Sequence, residues 1–155
     1  MALKNMWLTP DHDMTFPEGL VLVGTVEPVT EFSRDRNAPK RQKVDLDDEG
    51  NGTGKRLWTA TVSDSSINGA RNAMFDVLFI ADVRPVPSAQ PFAPGYTPIV
   101  LEGLQVKPKL VGNGEFKSIG WSYRATGIKG DNSGSKQPPV DAPASRPARG
   151  DKAVA

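Results

Sequence analysis

The sequence predicts an all-β protein, either a small OB-like barrel or a sandwich of about six strands. Apolar residues alternate with a period of two along most of the chain, which is typical of strands with one buried face. The chain also contains 14 prolines and 15 glycines, which break it into short segments. No segment longer than about ten residues has the spacing of an amphipathic helix. Barrels and sandwiches have these signals in common, so the order of the strands stays open.

The length of 155 residues predicts one folded domain with a short segment before it and a tail after it. Residues 1–14 form the N-terminal segment, residues 15–128 the β domain, and residues 129–155 the tail. The tail is basic and rich in proline, glycine and serine, and it contains no aromatic residue and no Leu, Ile or Met. Such a composition cannot bury enough apolar surface to offset the entropy of ordering the backbone, so we expect the tail to be disordered.

The first three candidate strands lie in the N-terminal half of the chain. Residues 20–29 are rich in β-branched side chains, and Gly24 within them indicates a bulge or a bend. Residues 41–46 and 56–63 flank a turn at 47–54 that contains three glycines, and this pattern predicts a hairpin.

The remaining strands follow in the second half. Residues 73–83 are apolar on both faces, so we expect this strand to lie centrally in the sheet. Residues 97–106 and 118–128 are the last two candidates, and the Asn-Gly pair at 113–114 predicts a hairpin turn between them. The proline-rich residues 84–98 are expected to form an extended surface connection, because proline has no amide donor for a strand ladder.

Side chains with catalytic or metal-binding chemistry are scarce. The chain has no cysteine, which excludes a disulfide scaffold, a zinc finger, an iron–sulfur site and a cysteine nucleophile. The single histidine, His12, lies between two aspartates, and we expect an exposed polar turn there. The glycine-rich residues 50–56 lack the spacing of a phosphate-binding loop. The sequence therefore predicts a protein that is not an enzyme and that holds no cofactor and no metal.

The chain also lacks the signals of membrane insertion and export. It contains no apolar run of about 18 residues, which a membrane-spanning helix needs. Residues 1–6 do not begin a signal peptide, because no basic stretch is followed by an apolar one. We therefore expect a cytoplasmic protein without a membrane partner.

The net charge of +1 is the sum of segments that differ in charge. The tail carries five basic and three acidic residues, which leaves the rest of the chain at −1. Within the β domain, five basic residues lie within residues 34–43, opposed only by Asp35, and four acidic residues follow within residues 45–49. This pattern excludes a protein that coats DNA by bulk charge. It allows a local basic site beside an acidic turn, and charge alone favours the ordinary alternative of two solvated loop faces.

Two groups of residues indicate a nucleic-acid site. The basic segment, extended across the predicted hairpin by Lys55 and Arg56, carries the charge that attracts phosphates and releases counterions. Aromatic residues on strands with basic neighbours are typical of OB-type surfaces on which single-stranded DNA stacks its bases, although packing in the core is the ordinary use of Trp58 and Trp121. The candidate DNA-binding residues are Arg34, Arg36, Lys40, Arg41, Lys43, Lys55, Arg56, Trp58, Trp121, Tyr123 and Arg124. We expect DNA as the partner, single-stranded in preference to double-stranded.

Five segments of the chain resemble one known family. They are FPEGLVLVGTVEPV at 16–29, LWTATVSD at 57–64, IADVRPVP at 80–87, PIVLEGLQV at 98–106 and SYRATG at 122–127. In this order they resemble the replication, integration and excision activators of actinobacterial mobile elements, which integrative plasmids and similar elements carry. The likeness covers most of residues 15–128 and consists of strand and turn patterns rather than a catalytic signature.

The resemblance implies an accessory regulator that promotes the replication and excision functions of such an element. The β domain shows no helix-turn-helix pattern, which favours indirect action or binding to single strands over operator reading. Two alternatives stay open. One is a single-stranded DNA-binding OB-fold protein, and the other is a protein-interaction or structural module that uses a sheet edge or the 84–98 connection and makes no DNA contact. Each of these three functions is compatible with replication or recombination proteins as partners. Each is also compatible with a homo-oligomer.

Overall fold

A computed structural model describes residues 6–67 and 73–131. Nearly all of the regular structure in this part of the chain is β, which confirms the predicted fold class. The elements are α1 (His12–Thr15), β1 (Leu20–Pro28), β2 (Leu57–Asp64), β3 (Met74–Ile80), β4 (Tyr96–Ile99), β5 (Leu101–Glu102), β6 (Gln105–Val111), β7 (Ser118–Ala125) and β8 (Gly127–Ile128). Beyond Asp131 the predicted disordered tail lies outside the described residues.

Six strands form one mixed sheet in the order β4-β1-β2-β3-β7-β6. Neighbouring strands are antiparallel except β3 and β7, which run parallel. The edge strands β4 and β6 do not pair with each other, so the barrel is not closed, and of the two predicted architectures the sandwich fits. The strand predicted to be central is central, because β3 lies between β2 and β7.

One face of the sheet carries the core. Along β2 the side chains of Trp58, Ala60 and Val62 are buried on this face while the threonines between them point the other way, as the period of two predicts. Opposite them on β3, Val77 and Phe79 are fully buried. The core comprises Phe16, Leu20, Leu22, Val26, Trp58, Ala60, Val62, Val77, Phe79, Ile99, Leu101, Leu104, Val106, Ala125 and Ile128.

The last strands form one long bent hairpin. Strands β6 and β7 pair through the turn predicted at 113–114, and β5 and β8 continue the same register as a separate two-stranded sheet. The predicted strand at 97–106 is therefore divided among β4, β5 and the start of β6, and the one at 118–128 between β7 and β8. The hairpin bends at Gly103, whose φ of 64° suits glycine, and this bend brings Leu101 and Ile128 into the core.

The predicted hairpin between residues 41–46 and 56–63 is wrong beyond its base, where Val44 and Arg56 form an antiparallel bridge. Strand β2 pairs with β1 and β3 instead, because these strands supply long ladders and apolar partners on the core face. Residues 41–46 make only isolated bridges, in which Gln42 faces Thr30 and Val44 faces Arg56.

His12 is buried, so the predicted exposed polar turn is wrong as well. It opens α1, where the carboxylate of Asp11 accepts a hydrogen bond from the Met14 amide as the N-cap. The Nδ1 atom of His12 accepts a hydrogen bond of 3.2 Å from the backbone amide of Leu101. The imidazole also lies 5.2 Å from the ring of Phe16, measured between centroids. The first turn of the domain is thus attached to β5 across the core.

Acidification is expected to destabilise the fold through His12. Burial lowers the pKa of His12, against the opposing effects of Asp13 and Asp11. Below the ordinary histidine pKa of about 6.5 the unfolded chain therefore binds more protons than the folded one, so stability rises with pH there. The free energy of unfolding should hold above about pH 6.5 and fall below it, as urea titrations at about pH 7.5 and 5.5 can measure.

The matched control for this titration is His12→Asn. The Oδ1 atom of asparagine can take the place of Nδ1 as the acceptor for Leu101, but it does not titrate. The loss of stability between the two pH values should therefore be smaller in His12→Asn than in the native sequence. An equal loss in both proteins would assign the effect to the carboxylates instead.

Candidate nucleic-acid interface

The predicted basic segment forms an arm between β1 and β2. The amide of Glu31 donates to the carbonyl of Arg41 at 2.8 Å, and the amide of Lys43 donates to the carbonyl of Val29 at 2.7 Å. These bonds hold the two sides of residues 29–43 together without a full strand ladder. We call this segment the basic arm.

The cationic side chains of the basic arm are exposed. The turn at its tip is closed by Asp35, which accepts from the amide of Asn37 through Oδ1 and from the amide of Ala38 through its carbonyl. The five basic side chains are all exposed, and within the described residues none of them is paired with a carboxylate: Arg34, Arg36, Lys40, Arg41 and Lys43. Phe32, next to them, is 87% exposed. The arm thus combines free cations with an accessible aromatic ring.

Two further predicted residues lie at the base of the arm. The carbonyl of Lys55 accepts from the amide of Asp45 at 2.7 Å, and the amide of Leu57 donates to the carbonyl of Lys43 at 3.0 Å. The guanidinium of Arg56 lies within 3.4 Å of the carbonyl of Asp82. The structure therefore brings Lys43, Lys55 and Arg56 together, as the sequence predicts, but through backbone bridges rather than a hairpin.

The acidic turn beside the arm is held together by hydrogen bonds between its own residues. Asp45 accepts from both the amide and the hydroxyl of Thr53, and Asp47 accepts from the amides of Glu49 and Asn51. These bonds, chiefly the one from the Asn51 amide, lower the pKa of Asp47. These bonds hold the turn in one shape and occupy the carboxylates of Asp45 and Asp47 within the turn itself.

Trp58 does not belong to an exposed stacking surface. Its side chain is only 7% exposed, and its indole nitrogen donates to the carbonyl of Ala81 at 2.9 Å. The guanidinium of Arg84 lies 5.5 Å from the ring centroid. The expectation that Trp58 stacks on bases is therefore wrong, and its packing in the core explains its place on β2.

The two aromatic residues of β7 differ in exposure. Tyr123 is half-buried, and its ring lies 4.3 Å from that of Phe75, measured between centroids. Burial, with a smaller effect of Asp64, raises the pKa of Tyr123. Trp121, two residues earlier on the same face, is 44% exposed because the core ends before it. Of the three predicted stacking residues, Trp121 is the one with open ring surface.

Arg124 points to the opposite face of the sheet and has structural partners. Its Nε atom donates to Oε1 of Gln105 at 2.6 Å, and its guanidinium lies 3.9 Å from the ring centroid of Trp7. The amino group of Lys107 lies 5.1 Å from the same ring. Burial lowers the pKa of Arg124, opposed by the charge of Asp45. Arg124 thus anchors the N-terminal segment to the sheet, and the sequence did not indicate Trp7 as its partner.

A cleft opens where β3 and β7 separate. The two strands pair only through Val77–Phe79 and Tyr123–Ala125, so their preceding residues are not joined to each other. The cleft has a volume of about 400 Å³. Its lining includes Trp7, Phe75, Asp76, Lys109, Trp121 and Ser122. We call this cleft the notch.

The described residues show neither a metal centre nor a spanning helix. No three His, Cys, Asp or Glu side chains come together in residues 6–67 and 73–131 in a way that could hold a metal ion. Over the same ranges no helix is long and apolar enough to cross a membrane.

Comparisons with family models, with curated proteins and with solved structures find no match to this chain.

Proposed function

We propose that this protein is a non-enzymatic, cytoplasmic accessory regulator of the replication or excision of an integrative plasmid or phage-like element, and that it acts by binding DNA. The kind of element rests on the likeness of the five sequence segments to the activator family. The DNA contact rests on one observation, the basic arm. Its five exposed cationic side chains lack carboxylate partners within the described part of the chain.

The chemistry of the arm suits phosphates better than other partners. Each unpaired Lys or Arg that neutralises a phosphate releases a condensed counterion, which favours binding without regard to base sequence. Because the net charge of the chain is only +1, this attraction has to come from a local cluster. The exposed ring of Phe32 adds a surface on which an unpaired base can stack.

A mobility-shift assay on single- and double-stranded oligonucleotides at about 50 and 200 mM salt tests the proposal. The native chain should shift single strands, and the shift should weaken with salt. In Arg36→Ala/Arg41→Ala the affinity should fall by on the order of tenfold, because two phosphate contacts are lost. The slope of log affinity against log salt should also become shallower by about 1.4 for single strands.

Lys117→Ala/Lys129→Ala is the matched control. It removes the same charge from two exposed lysines outside the basic arm, with Lys117 in the β6–β7 turn at the opposite end of the sheet. This variant should keep the affinity and the salt slope of the native chain. An equal loss in both variants would show that net charge matters and the arm does not, and no shift at low salt would refute the proposal.

One observation favours a protein-interaction module as the second candidate. The β6–β7 hairpin exposes three large apolar side chains, with Leu110 at 73%, Phe116 at 88% and Ile119 at 71%. Leu110 and Ile119 are cross-strand partners, so they form a continuous apolar ridge. Grouped exposed apolar side chains of this kind mark interaction sites. Absence of a mobility shift, together with capture of a protein that Leu110→Ser/Ile119→Ser no longer captures, would support this candidate.

A further inference from the structure

We infer that the notch between β3 and β7 binds one unpaired nucleobase, so that the protein selects single-stranded over double-stranded DNA. This inference rests on the proposed function, because the basic arm supplies the phosphate contacts and the notch adds a contact to a base. It assigns ligand-binding roles to Phe75 and Asp76, which the sequence did not indicate.

The size and the walls of the notch suit a planar ring. A cleft of about 400 Å³ has room for a nucleobase and part of its sugar. Trp121 and Phe75 line it, and Trp121 keeps open ring surface. Every base has a π face that can stack on such a side chain, so the contact tolerates any sequence.

The polar groups of the notch suit the pairing edge of a base. Asp76 accepts one hydrogen bond of 2.9 Å from the hydroxyl of Thr61, and a carboxylate has further lone pairs available. Ser122 brings a hydroxyl that can donate or accept. The N–H groups on the pairing edge of an unpaired base can donate to the carboxylate, whereas in a duplex they are already engaged. Single-strand selectivity follows from this difference.

The charges around the notch favour a nucleic acid over an acidic peptide. Lys109 lines the notch, and Lys107 and Arg124 lie beside it against the ring of Trp7. These cations can hold the phosphates on either side of the bound base. A carboxylate side chain of a peptide entering the notch would instead meet Asp76, and like charges repel. A base presents no such charge.

Fluorescence anisotropy with the full chain and two labelled oligonucleotides tests the inference. One is an oligothymidine of about 12 residues and the other is an abasic strand with the same number of phosphates. The native chain should bind the oligothymidine at least about fivefold more tightly, since the abasic strand offers charge but no ring to stack. Trp121→Ala should reduce this preference to the part that stacking on Phe32 supplies, and it should leave the affinity for the abasic strand unchanged. A preference that Trp121→Ala leaves undiminished would assign the base contact to Phe32 and overturn the inference.

Three further variants keep the test decisive. Ser122→Leu fills the notch without removing an aromatic wall, and it should reduce the preference to the same level as Trp121→Ala. Phe116→Ala removes a ring that is 88% exposed in the β6–β7 turn and should keep the preference. Arg36→Ala/Arg41→Ala should weaken the binding of both oligonucleotides by the same factor.

The outcomes separate the two proposals. Equal affinity of the native chain for both oligonucleotides overturns the inference and leaves the proposed function standing. No binding of either overturns both. Equal affinity for both, together with Trp121-dependent binding of an acidic peptide, overturns the inference in favour of a protein ligand.

Discussion

Phe79→Ala should lower the free energy of unfolding by about 3–5 kcal/mol, the largest effect that we expect from any single substitution here. Phe79 is fully buried on β3, the strand that lies between β2 and β7. It faces Trp58 on one neighbouring strand and Ala125 on the other, and both are core residues. Truncation removes most of an aromatic side chain from the centre of the sandwich, where the flanking strands cannot close the cavity.

Urea unfolding followed by tryptophan fluorescence measures this loss, and Phe116→Ala is the matched control. The chemical change is the same, but the ring of Phe116 is 88% exposed, so its truncation should cost less than about 0.5 kcal/mol. A single domain has a total stability of about 5–15 kcal/mol, so Phe79→Ala can leave the chain largely unfolded. Phe79→Leu, with a smaller cavity, then gives a graded and measurable loss. Similar losses at Phe79 and Phe116 would contradict the placement of the core.

Which face of a strand is buried was predictable, because it depends on the local alternation of apolar and polar residues. The burial of Trp58, Ala60 and Val62 on β2 follows from the period of two alone. The central place of β3 was predicted from the largely apolar residues on both of its faces, although the structure buries only the face that carries Val77 and Phe79. Neither prediction requires knowledge of which segment pairs with the strand.

The pairing of the strands was not predictable, because it depends on contacts between distant segments. The turn at 47–54 is rich in glycine, yet the segment before it does not pair with β2 as a hairpin arm, since β1 and β3 offer longer ladders. His12 is buried through a bond to Leu101, which is far away in the sequence. The local sequence around His12 contains an aspartate on each side. Both aspartates are exposed, so this pattern gives no sign that His12 between them is buried.

The candidate site was predictable in its charges and only partly in its aromatic residues. Lysines and arginines on a loop are exposed in almost any fold, so the basic arm follows from composition. Whether Trp58 or Trp121 is exposed depends on where the core ends, which only the packing decides. Phe32 carried a signal that was available, since it lies two residues before Arg34 in the basic segment.

Gly103→Ala is expected to be the second most damaging substitution, at about 2–4 kcal/mol. Two costs combine at this position. The φ of 64° lies in the left-handed region, where alanine costs about 1–2 kcal/mol more than glycine. An added Cβ would also overlap Oγ1 of Thr126 and lie 2.9 Å from its Cγ2. The bend that Gly103 allows brings β5 and β8 over the core, so relief by straightening the hairpin would expose Leu101 and Ile128.

Gly95→Ala separates the two costs, because Gly95 has a φ of 79° and nothing within 4 Å of an added Cβ. It should lose only the conformational part, about 1–2 kcal/mol. A Thr126→Ala background removes the two nearest atoms and leaves only the Cβ of residue 126, at 3.2 Å, so the cost of Gly103→Ala should fall close to the value for Gly95→Ala. Thr126→Ala alone loses the hydroxyl bond to the carbonyl of Glu102, so each cost is taken relative to its own background. If Gly103→Ala costs the same in both backgrounds, the contact with Thr126 contributes nothing, and the bend requires glycine for its φ alone.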